Sequence, residues 1–300
     1  MRATNHKAMP PKQPAACELD TKPPPGSGGF ALPGSKKWPA ARHYPVERWR
    51  GGERQTLEDA VIEEAPVALF YNSQPHVVML ASPIDLEDFA LGFSLTEGII
   101  KSPDELAFID EYHREEGIEL WLRIPPARFE ALSGKERNLT GRTGCGLCGA
   151  ATISQAVRHP APVGPGRPVP VEALRQALRE LETRQTLNNL TGAVHGAAWA
   201  VAGVGIVLVR EDVGRHNALD KLIGALVKAD AKLDEGFVIV TSRASFEMVQ
   251  KCAAVGIGFM AAISAPTGLA IRLAEETGLT LLGFARGERH TVYANPQRLL

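Results

Sequence analysis

The feature that most constrains this chain is an alternation of two hydrophobic periods through its last hundred residues. Phe237–Thr241, Phe259–Ser264 and Leu279–Phe284 are apolar runs of strand length, and Phe246–Val255 and Thr267–Glu276 between them repeat apolar residues at helical spacing. Upstream, Trp199–Arg210 reads as a strand and Ala218–Lys228 as a helix turning Leu219, Leu222, Ile223, Leu226 and Val227 inward. Strands and helices alternating at this spacing require crossovers, which are right-handed and build a largely parallel or mixed sheet. The predicted fold class is α/β.

The first half has a different texture. Ala65–Tyr71 and His76–Ala81 are β-rich runs joined by Asn-Ser-Gln-Pro, which predicts a hairpin. Asp85 is placed to cap a helix carrying Leu86, Phe89, Ala90 and Phe93 on one face. Ile118–Ile124 alternates as a half-exposed strand does, and Ala150–Arg158 has the make-up of a short helix. The run HPAPVGPGRPVP, residues 159–170, has five prolines and two glycines and reads as a hinge or linker. A periodic helix follows from Val171 to about Leu190, with Leu174, Ala177, Leu178 and Leu181 inward and Gly192 as its stop. Residues 1–50 hold nine prolines, four glycines, nine Lys/Arg and three Asp/Glu, too little apolar surface to offset chain entropy. The expected organisation is a disordered basic tail over 1–43, a smaller N-terminal α+β portion over 44–158, a linker over 159–170 and an α/β cofactor-binding domain over 171–300. The tail reads as solvated chain, or as a weak docking arm for an acidic partner.

Charge and cysteine usage narrow the function. The formal net charge of −1 gives no global pull toward nucleic acid or an anionic membrane, so an anionic ligand must be held by a local cluster. Four cysteines, Cys17, Cys145, Cys148 and Cys252, are too few for a disulfide scaffold at 300 residues. No apolar run reaches the ~18 residues of a membrane span, and prolines from Pro10 onward break any secretory pattern. These readings predict a protein of a reducing compartment, the cytoplasm, with neither nucleic acid nor membrane as partner.

The sharpest chemical feature is Gly141-Arg142-Thr143-Gly144-Cys145-Gly146-Leu147-Cys148-Gly149. Four glycines in nine residues describe an adaptable loop that leaves a thiol open to large reactants. Arg142 beside it favours the thiolate, the form that attacks a persulfide and passes sulfur on. A structural zinc site usually needs a second cysteine pair, which is missing, and Cys252 and His195 could complete one only by coincidence of folding. A thioredoxin-type dithiol would open a helix after a strand, which the flanking glycines oppose. A zinc deaminase needs His-x-Glu upstream of its cysteines, whereas His195-Gly196-Ala197 lies downstream and has no Glu.

A second cluster, Arg210-Glu211-Asp212-Val213-Gly214-Arg215-His216-Asn217-Ala218-Leu219-Asp220-Lys221, falls where a strand yields to a helix, the usual place for ligands in α/β sheets. Asn217 is expected to cap that helix and Arg215 to face a phosphate, the bland alternative being a surface ion-pair network. Thr241-Ser242-Arg243-Ala244-Ser245 and Ser264-Ala265-Pro266-Thr267 repeat the arrangement at the next two junctions. Together they suggest one phosphate-binding edge. At the last apolar strand, Phe284-Ala285-Arg286-Gly287-Glu288-Arg289 adds two planar guanidinium donors and an aromatic face, or else forms a solvated terminal turn.

Taken in order, these motifs, with Leu95-Thr96-Glu97-Gly98-Ile99-Ile100, resemble the formate dehydrogenase accessory sulfurtransferases of the FdhD type over roughly residues 45–300. The resemblance implies a cytidine-deaminase-like mixed sheet with flanking helices, without the deaminase zinc, in a homodimer. It implies sulfur taken from a cysteine desulfurase, held as a persulfide on Cys145, and delivered to the molybdenum cofactor in its bis(molybdopterin guanine dinucleotide) form for a formate dehydrogenase. Cys148 matches the second, less essential cysteine. Phe284, Ala285, Arg286, Gly287, Glu288 and Arg289 match the cofactor-binding stretch, for which GDP or GMP would serve as mimics. A dithiol oxidoreductase and a cofactor-binding chaperone without sulfur chemistry are the competing functions.

Overall fold

The computed structural model describes residues 37–133 and 158–300. The basic tail up to residue 36, the cysteine loop and nearly all of the helix expected over 150–158 lie outside the described residues.

Three sheets organise the described chain. A two-stranded ribbon, β1 (Ala41–Arg50) and β2 (Glu53–Ile62), turns at Gly51-Gly52, both at positive φ. Its residues are mostly exposed on both faces, so no alternation in the sequence announces it. The second sheet has the order β4-β3-β6-β5, with β3 (Ala65–Tyr71), β4 (Gln74–Ala81), β5 (Phe108–His113) and β6 (Ile118–Arg123). Alternate residues of β3 are buried, and the expected hairpin closes at Asn72-Ser73, both left-handed as a tight hairpin requires. Helix α1 (Leu86–Thr96) packs on this sheet through Leu86, Phe89, Ala90 and Phe93. Asp85 does not cap it by side chain, contrary to expectation: its φ is 52°, and its carboxylate lies 3.5 Å from Arg210 instead.

The third sheet has the order β12-β11-β10-β9-β7-β8. Strands β9 (Gly236–Val240), β10 (Phe259–Ala262) and β11 (Thr280–Arg286) run parallel. The single strand expected over Trp199–Arg210 is a hairpin, β7 (His195–Val201) and β8 (Gly205–Asp212), turning at Gly203 and Gly205 with φ of 79° and 94°. Both arms are largely buried, which carries apolar character through the turn and disguises it. After the short α2 (Pro126–Ser133), the long helix expected from Val171 divides into α3 (Val171–Arg184) and α4 (Thr186–Thr191). The division has a cause: Glu211 accepts from the N–H of Leu187 (2.9 Å) and Asn188 (2.8 Å), so a new helix start forms there. Helices α5 (Arg215–Lys228), α6 (Phe246–Ala254) and α7 (Gly268–Thr277) follow β8, β9 and β10, and β12 (Arg289–Ala294) returns antiparallel along β11. Residues 159–168 carry no helix or strand, yet they are fastened along their length. Val163 N–H bonds Thr277 O, Arg167 N–H bonds Asp234 O, and the Arg298 side chain donates to Gly164 O and Pro165 O.

Helices α1 and α5 meet almost backbone to backbone. A Cβ on Gly92 would fall 1.8 Å from Asp220 O, and one on Gly224 would fall 1.9 Å from Asp88 O. Neither backbone can retreat from a sheet-packed helix. Gly224→Ala is therefore expected to destabilise the fold by about 3 kcal/mol or more, as overpacking against rigid atoms does. Gly268→Ala, whose Cβ would meet only a side-chain nitrogen at 3.7 Å, should stay within ~0.5 kcal/mol of the parent. Denaturant unfolding of the two variants measures the contrast, and equal midpoints would mean that the crossing is not tight.

Candidate functional site

Because β7 runs antiparallel to its neighbours, its first residue lies at the same edge as the carboxyl ends of β8, β9, β10 and β11. That edge gathers His195, the 212–216 turn, Thr241–Ser245, Ile263–Thr267 and Phe284–Arg286. The turns are laced together. Thr241 N–H bonds Gly196 O (3.0 Å), Gly196 N–H bonds Thr241 Oγ1 (2.9 Å), Ala244 N–H bonds Ala265 O (3.2 Å), Thr267 N–H bonds Ala244 O (3.0 Å), and Phe284 N–H bonds Ser264 O (3.1 Å). The three expected junctions thus share one edge, joined by the fourth.

Most of the charged residues from Arg210 to Lys221 are structural. Asp212 is fully buried; its Oδ1 accepts from Gly214 N–H (2.7 Å) and Asn217 Nδ2 (3.1 Å), and its Oδ2 meets Ser82 N–H (2.9 Å) and Lys221 Nζ (2.7 Å). Lys221 also donates to Ser82 O (2.9 Å), which ties the end of β4 to α5. Asn217 sits inside the first turn of α5 and donates to Leu80 O (2.8 Å); Gly214 is the N-cap, correcting the expectation that Asn217 would be. Asp220 joins Lys251 (2.8 Å) and Thr96 (2.7 Å), and Arg210 joins Asp88 (2.8 Å). The expected alternative of an ion-pair network describes these residues, except that the network is buried rather than on the surface. Thr96 and Glu97 of the Leu95–Ile100 motif belong to it too, Glu97 meeting both Lys251 (3.2 Å) and Arg158.

Of this cluster, Arg215 has no side-chain hydrogen-bond partner among the described residues, and His216 pairs across to α6. His216 is 3% exposed, and its Nε2 lies 2.6 Å from Glu247 Oε2 and 3.5 Å from Ser245 Oγ. Serine and carboxylate approach the same ring nitrogen, so this is no Ser–His–Glu relay, which needs one partner on each nitrogen. His195, nearby, is held below the usual histidine range by burial first and then by its neighbours Arg215 and His216. Glu247 was not singled out in the sequence; its only signal is its place two residues after a helix cap.

On the last strand, Phe284 is 51% exposed with φ of 52°, a left-handed conformation that costs a bulky residue free energy and projects the ring from the edge. Ala285 is fully buried in the core, so only its backbone can face a ligand. Arg286, Gly287, Glu288 and Arg289 form the exposed β11–β12 turn, with Arg286 and Arg289 as register partners. Arg286 Nε donates to Ile263 O (3.2 Å), which orients the guanidinium. Cys145 and Cys148 lie outside the described residues. Cys252 is fully buried, its sulfur 3.9 Å from that of Met260, and burial pushes its thiol up to about 12. A separate cleft of about 630 Å³ lies at the far end of α6, lined by Gly98, Ile100, Arg158, Gln250 and Val255 among others. Among the described residues no helix is long and apolar enough to cross a membrane.

Comparison with known proteins agrees with these motifs. The model of the FdhD/NarQ family matches residues 62–300. A protein of Cupriavidus necator named sulfur carrier protein FdhD is 51% identical over 269 residues, covering 90% of this chain and 93% of that protein. One of the same name from Xanthomonas euvesicatoria pv. vesicatoria is 53% identical over 254 residues, covering 85% and 90%. A crystal structure from Desulfotalea psychrophila, provisionally described as a formate dehydrogenase accessory protein, superposes with a TM-score of 0.69 at 28% identity. It covers 87% of this chain and all of that one.

The state of Cys252 yields a direct expectation. A thiol with no solvent contact and a pKa near 12 is almost all protonated at pH 8 and should resist alkylation in the folded protein. Iodoacetamide labelling read by peptide mass should modify Cys252 only after denaturation. Fast labelling in native buffer would contradict its burial.

Proposed function

The chain belongs to the FdhD/NarQ family, and on that premise we propose that it is a sulfur carrier for formate dehydrogenase. It accepts sulfur from a cysteine desulfurase as a persulfide on Cys145 and gives it to the molybdenum cofactor in its bis(molybdopterin guanine dinucleotide) form, working as a homodimer in the cytoplasm. The observation that carries this reading is 51–53% identity, over most of the chain, to proteins named sulfur carriers. The chemistry of the residues supports it. The Cys145 thiolate attacks the outer sulfur of the desulfurase persulfide, a new S–S bond forms on Cys145, and the desulfurase cysteine leaves as thiolate. Cys252 is a poor alternative carrier, being buried and protonated.

The cofactor, here a substrate, is assigned to the strand edge. Fixed N–H donors, Arg215 and the Arg286–Arg289 turn suit its pyrophosphates, and Phe284 offers a face to a heterocycle. GDP should bind as a mimic. Arg286→Ala should weaken it at least several-fold, the effect of losing a hydrogen bond to a charged group of about 1–3 kcal/mol. Titration calorimetry reads this, and equal affinities would remove Arg286 from the site.

The sulfur step is tested with Cys145→Ser and Cys148→Ser, reading persulfide by intact mass after incubation with desulfurase and cysteine, and formate dehydrogenase activation beside it. Transfer through one sulfur requires Cys145 absolutely and Cys148 only in part. The first variant should hold no stable persulfide and give no activation, while the second keeps substantial function. Full activation by Cys145→Ser would leave only a cofactor-binding role, and equal, complete loss in both would favour dithiol redox chemistry.

A further inference from the structure

The four-stranded sheet packs on α1 through one face. Val67, Leu69, Leu120 and Leu122 turn toward that helix and are buried. The residues alternating with them turn the other way and none is buried, Val78 and Phe108 being 39% and 41% exposed. This outer face is aromatic at its centre. Phe70 of β3 stacks on Trp121 of β6 with ring centroids 4.9 Å apart, and Tyr112 of β5 meets the same indole edge-on at 6.4 Å. The rings are held in place: Trp121 Nε1 and Arg114 both donate to Glu119 Oε2 (3.1 and 3.0 Å), and the Arg114 guanidinium lies over Tyr112, 5.4 Å from its centroid. Fixed aromatic faces that stay partly wet are where extended, proline-bearing segments dock.

The occupant follows from where the described chain begins. Trp38 is fastened at the His113 end of β5, its backbone N–H on His113 Nδ1 (3.2 Å) and its indole N–H on Arg114 O (3.1 Å). Directly upstream in sequence runs Ala31-Leu32-Pro33-Gly34-Ser35-Lys36. Pro33 stands five residues before Trp38, a reach of up to ~17 Å. Strands β5 and β3 are two strand spacings apart, ~10 Å, so that reach extends to the Phe70–Trp121 pair. Proline fixes its own φ and biases the residue before it to extended backbone, so this segment has little freedom to lose on docking. Asp110 shares the outer face with Phe108 and Tyr112 and has no ion-pair partner among the described residues, and Lys36 carries the opposite charge. A tether this short gives an effective concentration of about millimolar, so a contact too weak between separate molecules suffices within one chain.

We infer that the outer face of the four-stranded sheet is a docking surface for the chain's own segment 31–36, Leu32 and Pro33 lying on the Phe70–Trp121 pair and Lys36 beside Asp110. The seat covers an apolar face that would otherwise be open to association with other chains. It is independent of the sulfur chemistry and stands or falls without it.

The test uses the full chain in two parts. An equal mixture of isotope-labelled and unlabelled protein is treated with a carbodiimide, which joins an amine to a carboxylate in direct contact, and the linked peptides are identified by mass. Lys36 should be found joined to Asp110, and only within one isotope. Links between different isotopes would show that a second copy fills the face, and absence of the link would show that the segment lies elsewhere; either overturns the inference. Hydroxyl-radical footprinting then compares the parent with the double variant Leu32→Asp, Pro33→Asp. Oxidation of Phe70 and Trp121 should rise severalfold in the variant, while the buried Trp199 stays constant. Equal oxidation of the two rings in both proteins also overturns the inference and leaves the face to a separate partner. Since the cross-linking uses the unmodified chain, it decides the question even if the variant fails to fold.

Discussion

The crossing of α1 over α5 at Gly92 and Gly224 is the joint on which the rest of the molecule turns. One helix packs on the four-stranded sheet and the other on the six-stranded sheet, so their contact sets how the two sheets sit together. Buried ion pairs flank it, Lys221 with Asp212 and Lys251 with Asp220. Each buried charge loses several kcal/mol of hydration, recovered only when every partner is in place. Such pairs add little net stability, but the Thr96–Asp220 bond, which Lys251 completes, penalises a misaligned docking of α1 on α5. The glycines allow the approach; the ions choose its register.

That register has a consequence at the strand edge proposed to hold the ligand. Lys221 and Asp220, two turns or less into α5, are locked to β4 and α1. The first turn of α5 is therefore placed by the joint and needs no side-chain cap of its own. Its N–H groups, with Arg215 and His216, are left over as a fixed dipolar surface. A cap in that position would satisfy the helix and close the site. An uncapped start held by remote bonds keeps the donors oriented before any ligand arrives, which limits the ordering that binding requires.

How much of this was legible in the sequence depended on which force placed each residue. The parallel strands and their helices were readable because burial on one face writes a period into the chain, as in Leu219, Leu222, Ile223 and Leu226. The β7–β8 turn was not, because Ala202, Gly203 and Val204 continue the apolar composition of the flanking strands. The ribbon β1–β2 was silent for the opposite reason, being exposed on both faces. The Arg210–Lys221 cluster left a ligand site and an ion-pair network both open, since a charge in a strand-to-helix turn carries the same letter whether it meets solvent, a ligand or a buried partner. The partners of Asn217 and Lys221, Leu80 and Ser82, lie more than a hundred residues away. Only the folded chain distinguishes Arg215 from Lys221.

The same distinction applies to the cysteines. Cys252 sits in a helix, in a core with Met260 against its sulfur, where desolvation keeps the proton on. Reactivity toward a bulky persulfide donor asks for the reverse: a solvated thiolate, an adjacent cation and little steric cover. The sequence of the proposed carrier loop, residues 141–149, has four glycines, Arg142 and two cysteines, a composition that suits this demand. The substrate site proposed at the strand edge asks for fixed donors, and the laced turns there suit it. An overall charge of −1 contributes almost nothing to drawing in a polyanion. The phosphate affinity proposed for this chain therefore rests on oriented N–H groups and guanidinium planes acting at contact, which fall off within a Debye length and select by shape rather than by charge alone.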